Sequence, residues 1–411
     1  MKIFNRKLKI TSSALLTLCM VFVMTACAEN SSQSEKSQPA EQTTVQPTTM
    51  SAEEINDRKL DKFIVDMTLE EKVGQMFFVR CPDEDAVQQV SKYNIGGYIL
   101  FGRDFDGKTK DEVVDDIHSY QNEADIPLLI GVDEEGGTVV RVSSNPNLRE
   151  TPFLSPKDTY ADGGWDAVKQ DAEEKADLLL SLGINVNLAP VCDMTSDEYG
   201  FMYDRSFSSD VDMENRYVRT VVETSKSKKL GTVLKHFPGY GNNSDTHTGI
   251  AYDDRDYSEF ENTDFKPFYQ GIESGADCIL VSHNIVNCMD SEYPASLSQK
   301  VHDILRNEFK FDGVIMTDDL IMDAITDFTG DEAAAVTAAK CGNDLLCCSS
   351  VDTQYPAVLE AVQNGEISET QVGASVKRIL KWKQNLGIFN IDTYQKKVKS
   401  TEPTDTVGSE E

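Results

Sequence analysis

The residues able to do chemistry in this chain of 411 residues are gathered into a few short segments. Asp133-Glu134-Glu135 stand between an apolar run and two glycines, and Lys235-His236 open the segment KHFPGYG. Asp245-Thr246-His247 follow a few residues later, while Ser282-His283-Asn284 and Thr317-Asp318-Asp319 each close another apolar run. Taken singly, each has a plain structural explanation. Asp319 suits a helix N-cap ahead of Leu320-Ile321-Met322, a Lys-His pair suits a solvated turn, and Arg141 suits an ion pair with a nearby acid. Taken together they point to a site, because three of the five histidines, His236, His247 and His283, fall in these segments.

No H-E-x-x-H, C-x-x-C, G-x-G-x-x-G, P-loop or G-x-S-x-G pattern occurs, so neither a metal nor a nucleotide cofactor is expected. What remains is carboxylate, imidazole, ammonium and guanidinium chemistry. That set suits cleavage of a glycosidic bond, which needs one carboxylate at the anomeric carbon and a second group to protonate the leaving oxygen. Lysine, arginine and a further Asp would hold sugar hydroxyls in charge-assisted hydrogen bonds.

The elements that must position these residues are legible as eight apolar runs: 75–79, 97–101, 127–133, 184–191, 232–237, 278–283, 313–318 and 344–348. Helical patterns fall between them, as at 111–124, 171–183, 265–275, 298–309 and 331–342, and several end in Gly183, Gly275 or Gly342, as helix C-termini do. Eight strand and helix alternations predict an α/β fold, a single (β/α)8 TIM-type barrel over residues 55–394. An open, doubly wound sheet requires two of the runs to be misread. In a barrel the polar segments fall at the C-terminal ends of strands, where barrel enzymes carry their chemistry.

Six ordered motifs, IGVDEEGGTVVR (130–141), GINVNLAPVCDM (183–194), DRSF (204–207), KHFPGYG (235–241), DTH (245–247) and GVIMTDDLIM (313–322), resemble glycoside hydrolase family 3. The match is closest to its single-domain β-N-acetylhexosaminidase branch and covers roughly residues 60–390. The resemblance implies a retaining mechanism with Asp318 as nucleophile and an acid/base dyad of Asp245 and His247. An imidazole, with an ordinary pKa of ~6.5, can donate in one step and accept in the next. It further implies that Asp133, Arg141, Arg205, Lys235 and His236 bind a terminal N-acetylglucosamine. Tyr240, Thr246 and Thr138 depart from the family pattern, which commonly has His, Ser and Arg there; these bear on loop geometry and aglycone contacts. The implied activity is an exo-β-N-acetylglucosaminidase acting on peptidoglycan-derived or related glycans. An N-acetylglucosaminide phosphorylase using the same site, another β-glycosidase of the same family and, from another class, a sugar-binding lipoprotein are the alternatives.

Lys2, Arg6, Lys7 and Lys9 precede an apolar run that ends Met24-Thr25-Ala26-Cys27, which resembles a lipoprotein signal over residues 1–26. Cys27 would carry the lipid and hold the protein to a membrane outside the cytoplasm, with residues 27–54 as a disordered, low-complexity tether and 395–411 as a polar tail. A formal net charge of −31, from 39 Lys+Arg against 70 Asp+Glu, argues against a nucleic-acid partner. The seven cysteines beyond Cys27 are scattered and odd in number, unlike a disulfide scaffold. Carbohydrate and membrane are the expected partners, and the oligomeric state is left open.

Overall fold

The computed structural model describes residues 50–243, 245, 246, 249–329 and 331–396. The expected signal peptide, Cys27, most of the tether and nearly all of the polar tail lie outside the described residues, as does His247.

Eight parallel strands form the frame: β1 (Phe77–Arg80), β2 (Gly97–Leu100), β3 (Leu129–Val132), β4 (Val186–Asn187), β5 (Gly231–Phe237), β6 (Cys278–Val281), β7 (Val314–Thr317) and β8 (Leu346–Cys348). They pair in the order β8-β1-β2-β3-β4-β5-β6-β7. A parallel bridge between Met316 and Leu345, with the Thr317 amide donating to the Leu345 carbonyl at 3.1 Å, brings β7 to β8 and nearly closes the ring. The expected (β/α)8 architecture is therefore present, with every anticipated run contributing a strand.

Strand ends differ from expectation for local reasons. Gln75 belongs to the helix Leu69–Gln75, so β1 starts at Phe77. The run 184–191 is reduced to two ladder residues, because Pro190 has no N–H to donate; pairing resumes as a bridge between Val191 and Lys235. The first helix, Ala52–Asp66, begins inside the stretch read as tether. Its start is secured by a reciprocal capping box, Ser51 Oγ accepting from the Glu54 amide at 3.1 Å and Glu54 accepting from the Ser51 amide at 2.7 Å.

Period-2 alternation sorts the strand side chains. Phe78, Ile99, Leu129, Leu188, Val233, Leu280, Met316 and Cys347 share one buried cluster inside the barrel. Trp382 of the last long helix, Glu369–Asn385, and Leu386, which caps that helix, join that cluster from the N-terminal end, where a Cβ on Gly231 would meet the Trp382 ring at 3.1 Å. The opposite faces of the strands pack under the helices in two further clusters. A plugged lower end leaves the C-terminal mouth as the open side of the barrel.

Candidate active site

The same alternation that fills the barrel with apolar side chains sets a polar layer at its mouth. Two residues beyond Phe78, Ile99, Val233, Leu280, Met316 and Cys347 come Arg80, Phe101, Lys235, Ser282, Asp318 and Ser349. Asp133 follows Gly131, where a Cβ would strike the Phe78 ring inside the barrel at 2.6 Å. Asp133, Lys235 and Asp318, three of the eight sequence-predicted site residues, thus belong to one ring of positions.

Lys235, 2% exposed, is the centre of a charge network. Its ammonium lies 2.6 Å from Asp133 Oδ1 and 2.6 Å from Glu135 Oε1. Glu135 also receives a fork from Arg205, Nε to Oε2 at 3.0 Å and Nη2 to Oε1 at 2.8 Å. Burial opposes the charge of Glu135, but Lys235 and Arg205 overcome it and hold the carboxyl well below the usual range. Burial likewise opposes the charge of Lys235, and Asp133 and Glu135 reverse that effect, raising its pKa. Two carboxylates and two cations compensate one another in a dry site, with Asp133 left partly open to the mouth.

The Arg205 Nη2 sits 3.2 Å from His236 Nε2, and His236 Nδ1 lies 2.6 Å from Asp193 Oδ2. Because a guanidinium only donates, Nε2 accepts and the ring proton is assigned to Nδ1, facing Asp193. Asp193 also accepts from the His236 amide at 3.0 Å and the Tyr240 amide at 2.7 Å. One buried carboxylate therefore fixes both the imidazole and the chain turn behind it.

Asp318 follows β7 directly. Its Oδ1 accepts from the Asp319 amide at 2.9 Å, and its own amide donates to Val281 of β6 at 3.1 Å. After burial, the charges of Asp319, Asp318 and Asp133 all contribute to raising the Cys347 thiol inside the barrel. Asp319 does not cap a helix: its Oδ1 takes the Ile321 amide at 3.2 Å in a turn, and Ser349 donates to its Oδ2 at 2.5 Å. His283, fully buried, lies with Nε2 3.1 Å from the Asp319 carbonyl and Nδ1 2.7 Å from Ser296 Oγ. A carbonyl only accepts, so Nε2 donates and His283 braces the strand end that presents Asp318.

The loop after β5 carries Asp245, which is partly buried. Beside it Thr246 is fully buried, its Oγ1 2.5 Å from the Tyr240 hydroxyl. Two of the three departures from the family pattern are thus bonded to each other. Burial, then the charge of Asp318, pushes the Tyr240 phenol far above its usual range, so the hydroxyl stays protonated. Arg255 ties down the same loop by donating to the Gly239 carbonyl at 3.1 Å while pairing with Asp253 and Asp264. Gly241, with φ +54°, passes so close that a Cβ there would meet the guanidinium at 2.7 Å. Asn243 donates to Asp253 at 2.7 Å, and Tyr252–Asp253 pairs with Ile285–Val286 in a two-stranded ladder that anchors the far end of the loop.

Arg141 stands apart from the charge network. Glu134, fully buried, accepts from the amides of Arg141 at 2.9 Å and Val142 at 2.7 Å and so folds this loop over the mouth. The Arg141 guanidinium lies 5.9 Å from the Phe101 ring centroid and, among the described residues, forms no ion pair with an acid. Glu135 and Asp193 were not singled out from sequence. A signal was available for Glu135: two cations such as Lys235 and Arg205 cannot share a dry site with a single Asp without a further counter-charge.

Comparison with known proteins agrees with this geometry. The profile described as glycosyl hydrolase family 3 N terminal domain matches residues 68–382. A beta-hexosaminidase of Hydrogenovibrio crunogenus is 31% identical over 286 residues, 68% of this chain and 79% of that protein. One from Nitrosomonas eutropha is 32% identical over 273 residues, 64% of this chain and 77% of its own length. Among solved structures, a glycoside hydrolase family 3 beta-N-acetylglucosaminidase from Paenibacillus sp. str. FPU-7 superposes with a TM-score of 0.74 at 29% identity, covering 84% of this chain. This chain spans 66% of that longer protein.

Proposed function

The chain belongs to glycosyl hydrolase family 3 and is a glycoside hydrolase of the β-N-acetylhexosaminidase type, and on that footing we propose that it is a retaining, exo-acting β-N-acetylglucosaminidase. Asp318 attacks the anomeric carbon and forms a covalent glycosyl-enzyme, which water then hydrolyses. His247, oriented by Asp245, protonates the leaving oxygen in the first step and takes a proton from water in the second. Asp133, Lys235 and Arg141 hold the hydroxyls of the terminal sugar. Arg205 and His236, fixed by Glu135 and Asp193, form the polar wall beside it. The observation that supports this reading most is the Asp133-Lys235-Glu135 arrangement at 2.6 Å spacing in the same mouth layer as Asp318.

Terminal N-acetylglucosamine of peptidoglycan-derived glycans is the proposed substrate, and a lipid on Cys27 is the proposed anchor to the extracytoplasmic membrane face. Among the described residues no helix is long and apolar enough to cross a membrane. Turnover of an aryl N-acetyl-β-glucosaminide by wild-type protein, falling by several orders of magnitude in Asp318→Ala, is the expected result. Near-wild-type activity in that variant would reject the assignment.

A further inference from the structure

Arg80 is the one cation of the mouth layer that the catalytic reading leaves unused. It ends β1, two residues beyond the interior Phe78, and its guanidinium carbon lies 4.5 Å from the Phe101 ring centroid. Arg141 stands over the same ring at 5.9 Å. Phe101 packs against the barrel-interior cluster, so both guanidiniums are stacked at the rim of the sugar site. Among the described residues neither forms an ion pair, and the Nε of each is buried without a hydrogen-bond partner. Of the polar side chains that line the hollow beside Arg80, Asp83 pairs with Arg103 at 3.0 Å, Asp352 with Lys92 at 3.2 Å and Ser349 donates to Asp319 at 2.5 Å, while the amide oxygen of Gln89 is buried without a hydrogen-bond partner. Two like charges on one ring, neither in ion-pair contact with an acid among the described residues, make a receptor for an anion.

The strand order says which end of a substrate carries that anion. β1 and β5 lie four strands apart in a ring of eight, on opposite sides of the barrel. The loop after β5 bears Asp245 and His247, and so faces the leaving group in the catalytic reading. Arg80 then faces the edge of the terminal sugar remote from the scissile bond. We propose that Arg80, with Arg141 and Phe101, forms a subsite for an anionic ester, phosphate or sulfate, on the remote edge of the terminal N-acetylhexosamine. The proposal rests on the β-N-acetylglucosaminidase reading for the orientation of the sugar.

The test compares 4-nitrophenyl N-acetyl-β-glucosaminide with its 6-sulfate, in wild type, Arg80→Gln and Arg80→Lys, each checked for wild-type thermal unfolding. The wild type should favour the 6-sulfate in kcat/KM. Arg80→Gln should lower the ratio of sulfated to neutral substrate about tenfold, the loss of one charge-assisted contact, and Arg80→Lys should keep most of the preference. An unchanged ratio in Arg80→Gln overturns the proposal. So does inorganic phosphate inhibiting cleavage of the neutral substrate as strongly as N-acetylglucosamine 6-phosphate does, because the anion would then not be carried on the sugar. If neither aryl substrate is cleaved, the catalytic reading fails on its own. The subsite is then decided by titration calorimetry: N-acetylglucosamine 6-phosphate must bind more tightly than N-acetylglucosamine to wild type and lose that advantage in Arg80→Gln.

Discussion

The guanidinium of Arg205 forks onto both oxygens of Glu135, at 2.8 and 3.0 Å, and the same carboxylate takes the Lys235 ammonium at 2.6 Å. A single buried acid therefore holds two of the cations proposed to face the sugar, and what these cations can do for a substrate depends on its charge.

Glu135→Gln removes that charge and leaves Lys235 with Asp133 alone and Arg205 with no carboxylate partner. Breaking a buried pair in this way costs about 3–5 kcal/mol, so urea unfolding at pH 7 should show a loss of that order, and kcat/KM should fall by at least ~100-fold. Because the Glu135 pKa is depressed, its stabilisation is complete above the unfolded value of ~4.3 and is lost only as pH falls through the lower folded value. The stability gap between wild type and variant should stay constant from pH 8 to 5 and narrow only in strong acid. A gap that closes near pH 6 would contradict the network.

Tyr240→Phe deletes the hydroxyl bonded to Thr246 without emptying the space its ring fills against His236, 5.3 Å away centroid to centroid. Thr246 lies between Asp245 and His247, so the variant should loosen the loop that carries the proposed acid/base pair while leaving Asp318 in place. Glycosides with poor leaving groups should lose about tenfold in kcat/KM, and activated aryl glycosides much less, since general acid catalysis is worth ~10²–10⁴-fold only where the leaving oxygen needs a proton. His247→Ala should show the same pattern more strongly. Equal losses on both substrate classes would mean that Tyr240 acts on the nucleophile side.

Lys383, fully buried in the last helix, has Gln75 Oε1 at 2.8 Å and, among the described residues, no acid in ion-pair contact. Burial alone pushes its pKa down to about 7. The unfolded chain binds this proton up to ~10.4, so the cost is full below pH 7, falls as pH rises from 7, and vanishes above the unfolded value. Lys383→Met should stabilise the protein by about 2 kcal/mol at pH 7, after allowance for the hydrogen bond lost by Gln75. Chemical denaturation of both proteins between pH 7 and 10 should show that advantage shrinking; an advantage that grows with pH would contradict it.

The barrel was legible because its strands are buried on both faces, so each appears as an uninterrupted apolar run closed by glycine or acid, as in PLLIGVD and GVIMTD. Asp133, Lys235 and Asp318 were legible for a related reason: an acid or lysine directly after such a run stands at a strand end. Glu135 and Asp193 were missed because their role is to compensate other charges, and which cations they meet depends on loops folding back, not on spacing. Arg80 escaped notice because β1 was placed one residue short, at 75–79. The helices Ala52–Asp66 and Leu69–Gln75 announce themselves through their capping boxes, Ser51 with Glu54 and Thr68 with Glu71. Ala86–Tyr93 carries a similar signature, Asp85 with Gln88, but Asp85 is left-handed and makes no side-chain cap, so there the signal and the structure part.

Asp318 as the covalent nucleophile is tested most directly by trapping. Wild-type protein is incubated with an activated N-acetyl-β-glucosaminide whose glycosyl-enzyme hydrolyses slowly, then digested and sequenced by mass spectrometry. The predicted result is one added sugar, on the peptide containing Thr317-Asp318-Asp319 and localised to Asp318, absent from Asp318→Ala. A sugar attached to any other residue, or turnover of the substrate with inversion at the anomeric carbon, would contradict the assignment.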